Sequence, residues 1–357
     1  MSSHYLHPKA SRGELSKLIK NGCDVRALRR RGLHYGYAAT LPTAPGAFDV
    51  SFARESWKAS RPILLHSAGA RLVQKYNSEI DKTLELFEHL RNGGDFQQSM
   101  RERLGPLQQF KPGGAATDAG DDREIEKVFY HGCSQSGARV VARDLYAKLS
   151  WISRDQRDPS LRIRFSFGSE RHLDWMKSPR RAVFADRYAE AAFPESKVIS
   201  KNPALCRIVE KLTKRRVRYS ERIIYNNAPG GGAVFHHDAE PLQIGVVYAQ
   251  IAGETGWLAL PKRTLASMLA KRLRRPEKKV LYQLDEPDAK LEKLLNADAD
   301  FVRELVESDH YYPLRAGDLL LLPSNGPDDT AWHSVIALGD TPSLALSFAI
   351  FPRGRGK

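Results

Sequence analysis

Apolar positions follow two different rhythms along the chain. Over residues 69–104, Leu72, Val73, Tyr76, Ile80, Leu84, Leu86, Phe87 and Leu90 approximate an i, i+3, i+4, i+7 stripe, and residues 12–31 carry similar spacing. Both stretches are expected to be helical, with the stripe facing a core. A glycine-rich run of low hydrophobicity, Gly105 to Asp122, then reads as a loop or linker. A further helix is expected from Arg123 to about Ile152, ending before the turn at Asp158-Pro159.

From Leu161 the period drops to two. LRIRFSFG alternates apolar and polar residues, the mark of a half-buried strand. Pro203 to Leu212 is a short amphipathic helix with proline where its missing N–H costs nothing. The strand-like RVRYSERIIYNN follows, then the turn Ala228-Pro229-Gly230-Gly231-Gly232. Gly245 to Leu260 predicts two strands about a Gly-Glu-Thr-Gly turn, and 262–309 a charged helical insertion. Tyr311 to Leu322, Trp332 to Leu338 and Ser343 to Phe351 return to strands. No repeat of fixed period is present. The pattern predicts an α+β protein: a mainly helical region over 1–155, and an antiparallel double-stranded barrel over 156–357 interrupted by the insertion.

Composition changes this picture little. With 357 residues, 41% hydrophobic and 27% charged, the chain matches ordinary globular proteins and is long enough for a sizeable core. No run approaches the roughly 18 apolar residues of a membrane span. The N-terminus lacks an apolar signal region, so the expected location is the cytoplasm. Cys23, Cys133 and Cys206 are too sparse and scattered for a disulfide framework or a cysteine zinc site.

Charge is the unusual bulk property. The formal net charge of +14 is clustered at Arg26–Arg31, Lys211–Arg218 and Lys262–Lys279, the last holding eight bases against one acid. Such blocks attract polyanions or acidic substrates, or simply form a solvated basic face.

The sharpest chemistry is Phe235-His236-His237-Asp238, directly after the glycine turn. On an extended strand, residues i and i+2 share a face, so His236 and Asp238 can reach one metal while His237 points away. The alternative is a surface hydrogen-bonded pair, and Glu240 is a rival carboxylate at a less natural spacing. His333, on a later strand after PSNGPDDTAW, is the best third ligand, its alternative being a histidine packed beside Trp332. Two imidazoles and one carboxylate on one face of iron leave open positions for dioxygen and a cosubstrate.

At these residues the chain resembles the non-haem Fe(II) and 2-oxoglutarate-dependent dioxygenases. YNNAPGGGAVFHHD looks like the strand, glycine turn and ligand strand of prolyl-hydroxylase-like members. AQIAGETGWLALP and YYPLRAGDLLLLPSNGPDDTAWHSV look like strands of the cupin-like, JmjC-related branch. The resemblance covers about 215–352 and implies a double-stranded β-helix of jelly-roll type. It also implies Fe(II) on His236, Asp238 and His333, 2-oxoglutarate and dioxygen as cosubstrates, and hydroxylation as the default outcome.

One expected feature is missing. A basic residue should meet the distal carboxylate of 2-oxoglutarate, because a charge taken out of water must be compensated. Ser343 to Phe351 supplies no base, and Thr255 stands where the JmjC-related branch carries lysine. Arg353 is preferred, ahead of Lys262 and Arg222, while Tyr225, Asn227, Thr255, Ser343 and Ser347 are expected to add hydrogen bonds. The basic insertion lies between the ligand segments, which points to an anionic or acidic substrate such as a nucleic acid, peptide or metabolite. Two other readings remain: a metal-binding cupin-like protein that binds RNA or another polyanion without oxygenase activity, and an iron enzyme of the same fold without 2-oxoglutarate.

Overall fold

The computed structural model describes residues 8–9, 36–37, 50–110, 118–119, 122–153, 158–168 and 179–353. The helix expected over 12–31, Cys23 and the Arg26–Arg31 cluster lie outside them. Strands in chain order are β1 Pro8–Lys9, β2 Gly36–Tyr37, β3 Ile63–Leu65, β4 Gln108–Phe110, β5 Asp118–Ala119, β6 Asp122–Cys133, β7 Val140–Trp151 and β8 Leu161–Phe167. They continue as β9 Val217–Asn227, β10 Gly232–His236, β11 Gly245–Ala252, β12 Glu254–Pro261, β13 Tyr311–Arg315, β14 Leu319–Pro323, β15 Ala331–Leu338 and β16 Ser343–Pro352.

Two antiparallel sheets carry the architecture. The smaller has the order β10-β15-β12-β13 and the larger β3-β14-β11-β16-β9-β8-β7-β6-β4, with β5 beside β6. Val246, Tyr248, Leu320, Leu322 and Ala345 of the large sheet meet Trp257, Ala259, Tyr312, Leu314, Ala331 and Val335 of the small one in a shared core. Val247 and Ala249, the alternate residues of β11, belong to a second core on the opposite face. A strand covered on both faces needs apolar residues throughout, which is why GVVYAQIA shows no alternation.

Helices fill that second core. The expected stripe forms helices Ala70–Lys75, Asn77–Arg91 and Phe96–Leu104. Helix Pro179–Ala192, not anticipated from the pattern, presents Ala182, Ala185, Ala189 and Ala192 to the large sheet. Its small residues recur every three or four positions, so the helix approaches closely. The insertion forms as expected, with helices Lys262–Leu273, Glu277–Gln283, Ala289–Ala297 and Ala299–Glu307. Leu265, Leu269, Leu291, Leu295, Phe301 and Leu305 pack on Leu258, Leu260, Trp332 and Ile336 of the small sheet. The Asp288 and Asp298 carboxylates cap its last two helices by accepting from Leu291 and Phe301 N–H.

The helix expected over Arg123–Ile152 is instead the hairpin β6–β7. Val128 and Tyr130 pair with Ala147 and Leu145 and face the helices, whereas Lys127, Phe129, Tyr146 and Lys148 face the other way. Irregular register near Glu124–Glu126 and Tyr130–Cys133 shifts the pleat, so the linear pattern no longer shows a clean period of two. The large sheet therefore runs unbroken from β9 through β8 into this hairpin.

Candidate metal centre

The glycine turn sets the entry of β10. Gly232 has φ of 143°, and a Cβ there would strike the Val335 carbonyl oxygen, so a side chain is excluded by conformation and space together. The Asp158 carboxylate accepts from Gly232 N–H at 3.0 Å, and Ser160 Oγ from Ala228 N–H at 2.9 Å. A short loop before β8 thus clamps both ends of the turn. Beyond it, register slips between Ala233 and His236 and leaves His236 directly opposite His333 on β15. The two rings stand 4.3 Å apart between centroids.

The strand ends at His236, so Asp238 projects from irregular backbone two residues on. Gln243 holds that backbone by donating to the Asp238 carbonyl at 2.7 Å. Although Asp238 lies beyond the strand, His236, Asp238 and His333 converge, with donor atoms all within 4.8 Å of one another. His236 Nε2 lies 3.6 Å from Asp238 Oδ1, and His333 Nε2 lies 3.5 Å from Oδ2. Adjacent ligands of an octahedral ion with bonds of roughly 2.1 Å sit about 3 Å apart, so small rotations bring these three onto one ion.

Protonation suits the same purpose. His236 Nδ1 is 2.8 Å from the Val234 carbonyl, a bond that places the proton on Nδ1 and leaves the Nε2 lone pair for a metal. Burial, reinforced by the neighbouring His236 charge, pushes His333 down to about 3, so its imidazole is neutral at ordinary pH. Burial would raise the Asp238 carboxyl, but His333, His236, His237 and Arg162 outweigh it and hold it below the usual range. A neutral His333 imidazole and an ionised Asp238 carboxylate belong to the donor set of a divalent first-row metal.

His237 makes its contacts with Trp332, Ala239 and Asp285 and is not one of the three converging residues. Its ring lies 5.3 Å from Trp332, its Nδ1 accepts from Ala239 N–H at 3.1 Å, and its Nε2 is 3.5 Å from Asp285. Asp285 also holds the fully buried Lys262 Nζ at 2.8 Å, and Lys262 reaches Asp328 at 3.4 Å and the Pro327 carbonyl at 3.1 Å. The insertion is thereby tied to the loop that precedes His333. Asn296 Oδ1 adds a further brace by accepting from Phe235 N–H at 2.9 Å.

Tyr225, Asn227, Thr255 and Ser343, all expected to hold a cosubstrate, are drawn together between the sheets. Asn227 Nδ2 donates to Ser343 Oγ at 3.2 Å, and Thr255 Oγ1 donates to Gln250 Oε1 at 2.7 Å. Thr255 also accepts from Trp257 Nε1 at 3.1 Å, and the Trp257 ring lies 5.1 Å from His333. Tyr225 stacks at 6.5 Å on Tyr248, which completes the patch.

Arg353 is not there. It follows the end of β16 whose residues pair with Val217 and Arg218, eight residues past Ala345, which opposes Tyr225. At strand rise that is roughly 26 Å from the site. The preference for Arg353 is therefore corrected: the last strand runs away from the metal ligands and carries its arginine to the far end. Lys262 is committed to Asp285 and Asp328, and Arg222 faces the helices, with Glu190 at 3.1 Å and Asp186 at 3.7 Å.

The basic residue that inspection of the last strands missed is Arg162. In LRIRFSF the apolar Leu161, Ile163, Phe165 and Phe167 face the helices, so Arg162 and Arg164 face the metal side. Arg162 pairs across the sheet with Tyr225, donates from Nε to Ser150 Oγ at 3.1 Å, and helps hold Asp238 ionised. The signal was the alternation itself, whose polar face looks onto the site.

The basic insertion is also reassigned. Arg272 donates to Glu304 at 2.7 Å and reaches Asp298 at 3.4 Å; Arg275 meets Asp288 at 2.7 Å; Arg263 meets Asp329 at 2.7 Å. These cations hold the insertion's own helices and the adjoining loop.

No family model and no curated protein matches this chain. Solved structures similar to it include the non-haem α-ketoglutarate-dependent epimerase SnoN from nogalamycin biosynthesis, at 13% identity over 87% of this chain and 84% of that one, with a TM-score of 0.38. The ribosomal oxygenase YcfD from Escherichia coli aligns at 13% identity over 85% of this chain and 51% of its own, with a TM-score of 0.32. An oxidoreductase of the 2OG-Fe(II) oxygenase family from Burkholderia pseudomallei aligns at 8% identity over 87% of this chain and 92% of that one, with a TM-score of 0.31. Likenesses this distant transfer neither site residues nor activity.

Proposed function

We propose that this chain is an Fe(II)- and 2-oxoglutarate-dependent oxygenase whose two sheets close as a double-stranded β-helix, and that it hydroxylates an anionic or acidic substrate. The convergence of His236, Asp238 and His333, with the His236 proton fixed on Nδ1, carries this reading. When bound, the iron and 2-oxoglutarate supply activation of dioxygen. The protein's own part is to bind, orient and exclude water. His333 offers a neutral nitrogen from a buried strand, and Asp238 a carboxylate kept ionised by its neighbours. Tyr225, Asn227, Thr255 and Ser343 offer donors and acceptors between the sheets, and Arg162 takes the role assigned to Arg353 by supplying the positive charge. The paired arginines of the insertion speak against its serving as an RNA-binding surface.

An iron enzyme of this fold without 2-oxoglutarate is the second reading. It is favoured by one observation, the neutral network of Gln250, Thr255, Asn227 and Ser343, which holds no cation. Anaerobic titration of the Fe(II)-loaded protein with 2-oxoglutarate separates the two. A visible charge-transfer band is expected in the native protein and at least tenfold weaker affinity in Arg162→Gln. Iron bound with no band at any 2-oxoglutarate concentration contradicts the proposal in favour of the second reading.

A further inference from the structure

The helix-covered face of the large sheet holds a cavity of about 800 Å³ between the tip of the β6–β7 hairpin and helix Pro179–Ala192. That is the size of a small-molecule site. It stands apart from the metal centre. Val140 on its wall precedes Ser150, the partner of Arg162, by ten residues of β7, roughly 30 Å at strand rise. One wall is fixed before any ligand arrives. Tyr188 donates from its hydroxyl to the Cys133 carbonyl at 2.7 Å, and its ring stands edge-to-face with Tyr130 at 5.8 Å. Gly132 makes that position possible, because a Cβ there would strike the Tyr188 ring. A wall held in this way spares a ligand the cost of ordering it.

The charge of the lining is one-sided. Arg139 comes from the hairpin and Arg187 from the helix, and no acidic residue lines the cavity. Other arginines close by are matched. Arg181, on the same helix, donates to the Arg143 and Asp144 carbonyls and lies 3.9 Å from the Asp144 carboxylate. Among the described residues no carboxylate pairs with Arg139 or Arg187. The Arg187 guanidinium lies 5.6 Å from the Phe184 centroid, which holds it against the apolar wall and leaves its N–H groups for an anion.

We propose that this cavity binds a small amphipathic organic anion, its head group taken by Arg139 and Arg187 and its apolar body seated against Phe184, Tyr188 and Val141. Carboxylate and phosphate ester both match the guanidinium fork, so the two heads share this chemistry. The ligand is not the molecule presented to the metal. The cavity lies on the helix side of the large sheet, whereas His333 faces the core between the sheets, beside Trp257. The site is therefore independent of the proposed oxygenase function.

The full chain should be titrated calorimetrically with naphthoate, naphthyl phosphate and the neutral naphthalenemethanol, with near-ultraviolet circular dichroism as the check on folding. One equivalent of at least one anion is expected to bind, at least tenfold more tightly than the alcohol, and the better anion identifies the carboxylate or the ester. Arg139→Gln or Arg187→Gln should weaken it about tenfold; both side chains are exposed, so the fold should survive. Ala191→Glu, which sets a carboxylate into the cavity from a helix, should abolish anion binding. Binding of neither anion, or of the alcohol as tightly as the better anion, overturns the site. So does native anion affinity kept by both folded arginine variants or by folded Ala191→Glu.

Discussion

Two basic regions of this molecule differ in how their charge is laid out. The insertion packs eight bases into Lys262–Lys279, the loudest charge signal in the chain. Folded, Lys262, Arg263, Arg272 and Arg275 all meet carboxylates of the insertion or the adjoining loop. The polar face of β6–β8 has no such run, since its cations are interspersed with apolar residues and come one or two at a time from three successive strands. Antiparallel pairing sets Lys127, Lys148 and Arg164 side by side and brings Arg162 beside Tyr225, within electrostatic reach of Asp238. The dense helical run is compensated by acids of other helices and of the adjoining loop, whereas density across a sheet is created by register and is invisible to a linear scan.

The comparison can be broken at several points. The largest expected effect is at Arg162: replacement by Gln should weaken 2-oxoglutarate binding by about tenfold to a hundredfold while iron stays bound, as for a lost charge-assisted contact of roughly 1.5–3 kcal/mol. An Arg162→Gln protein with native affinity would remove the sheet face from the site. Next is Lys262→Met, which should lower unfolding stability by about 2 kcal/mol in urea, because it strips the buried contacts to Asp285 and Pro327 and loosens the approach to His333. Arg272→Ala should cost about 1 kcal/mol in the same measurement and leave the salt dependence of substrate KM unchanged. A flattened salt dependence there would return the insertion to a substrate role. Arg263→Ala, at an exposed pair, should change stability by no more than about 0.5 kcal/mol.

The helix-covered side of the large sheet gives a contrasting pH behaviour. Burial is the leading cause that raises Asp186 and Glu195 to about 7, against the opposing pulls of Arg222 on Asp186 and of Thr83 on Glu195. A carboxyl with a raised folded pKa binds its proton more tightly folded than unfolded, so its contribution is complete below the unfolded value near 4 and is lost as pH rises through about 7. Thermal unfolding temperature should therefore fall between pH 4 and pH 7, and Glu195→Gln should flatten that fall.

The strands from Leu161 onward, the insertion and the grouping of His236, Asp238 and His333 could be read from the chain, because each rests on a local period or a short spacing. The short spacing of His236 and Asp238 was enough to group them, although Asp238 lies beyond the end of its strand, and His333 needed only its place on a later strand. The hairpin Asp122–Trp151 escaped because irregular register breaks its period, so its mixed apolar and charged residues passed for an amphipathic helix. Arg353 misled because sequence position on a last strand says nothing of which end meets the site. Arg162 stood in plain alternation, but which face of β8 looks onto Asp238 is decided by pairing with β9, a relation between segments more than 50 residues apart.

The most direct measurement is Fe(II) binding by the native protein and by His236→Ala, Asp238→Ala and His333→Ala variants, with near-ultraviolet circular dichroism as the check on folding. One equivalent bound by the native chain, with loss of at least tenfold in affinity in every folded variant, is the expected result. One equivalent retained at native affinity by any two of the variants contradicts the triad and, with it, the proposed oxygenase.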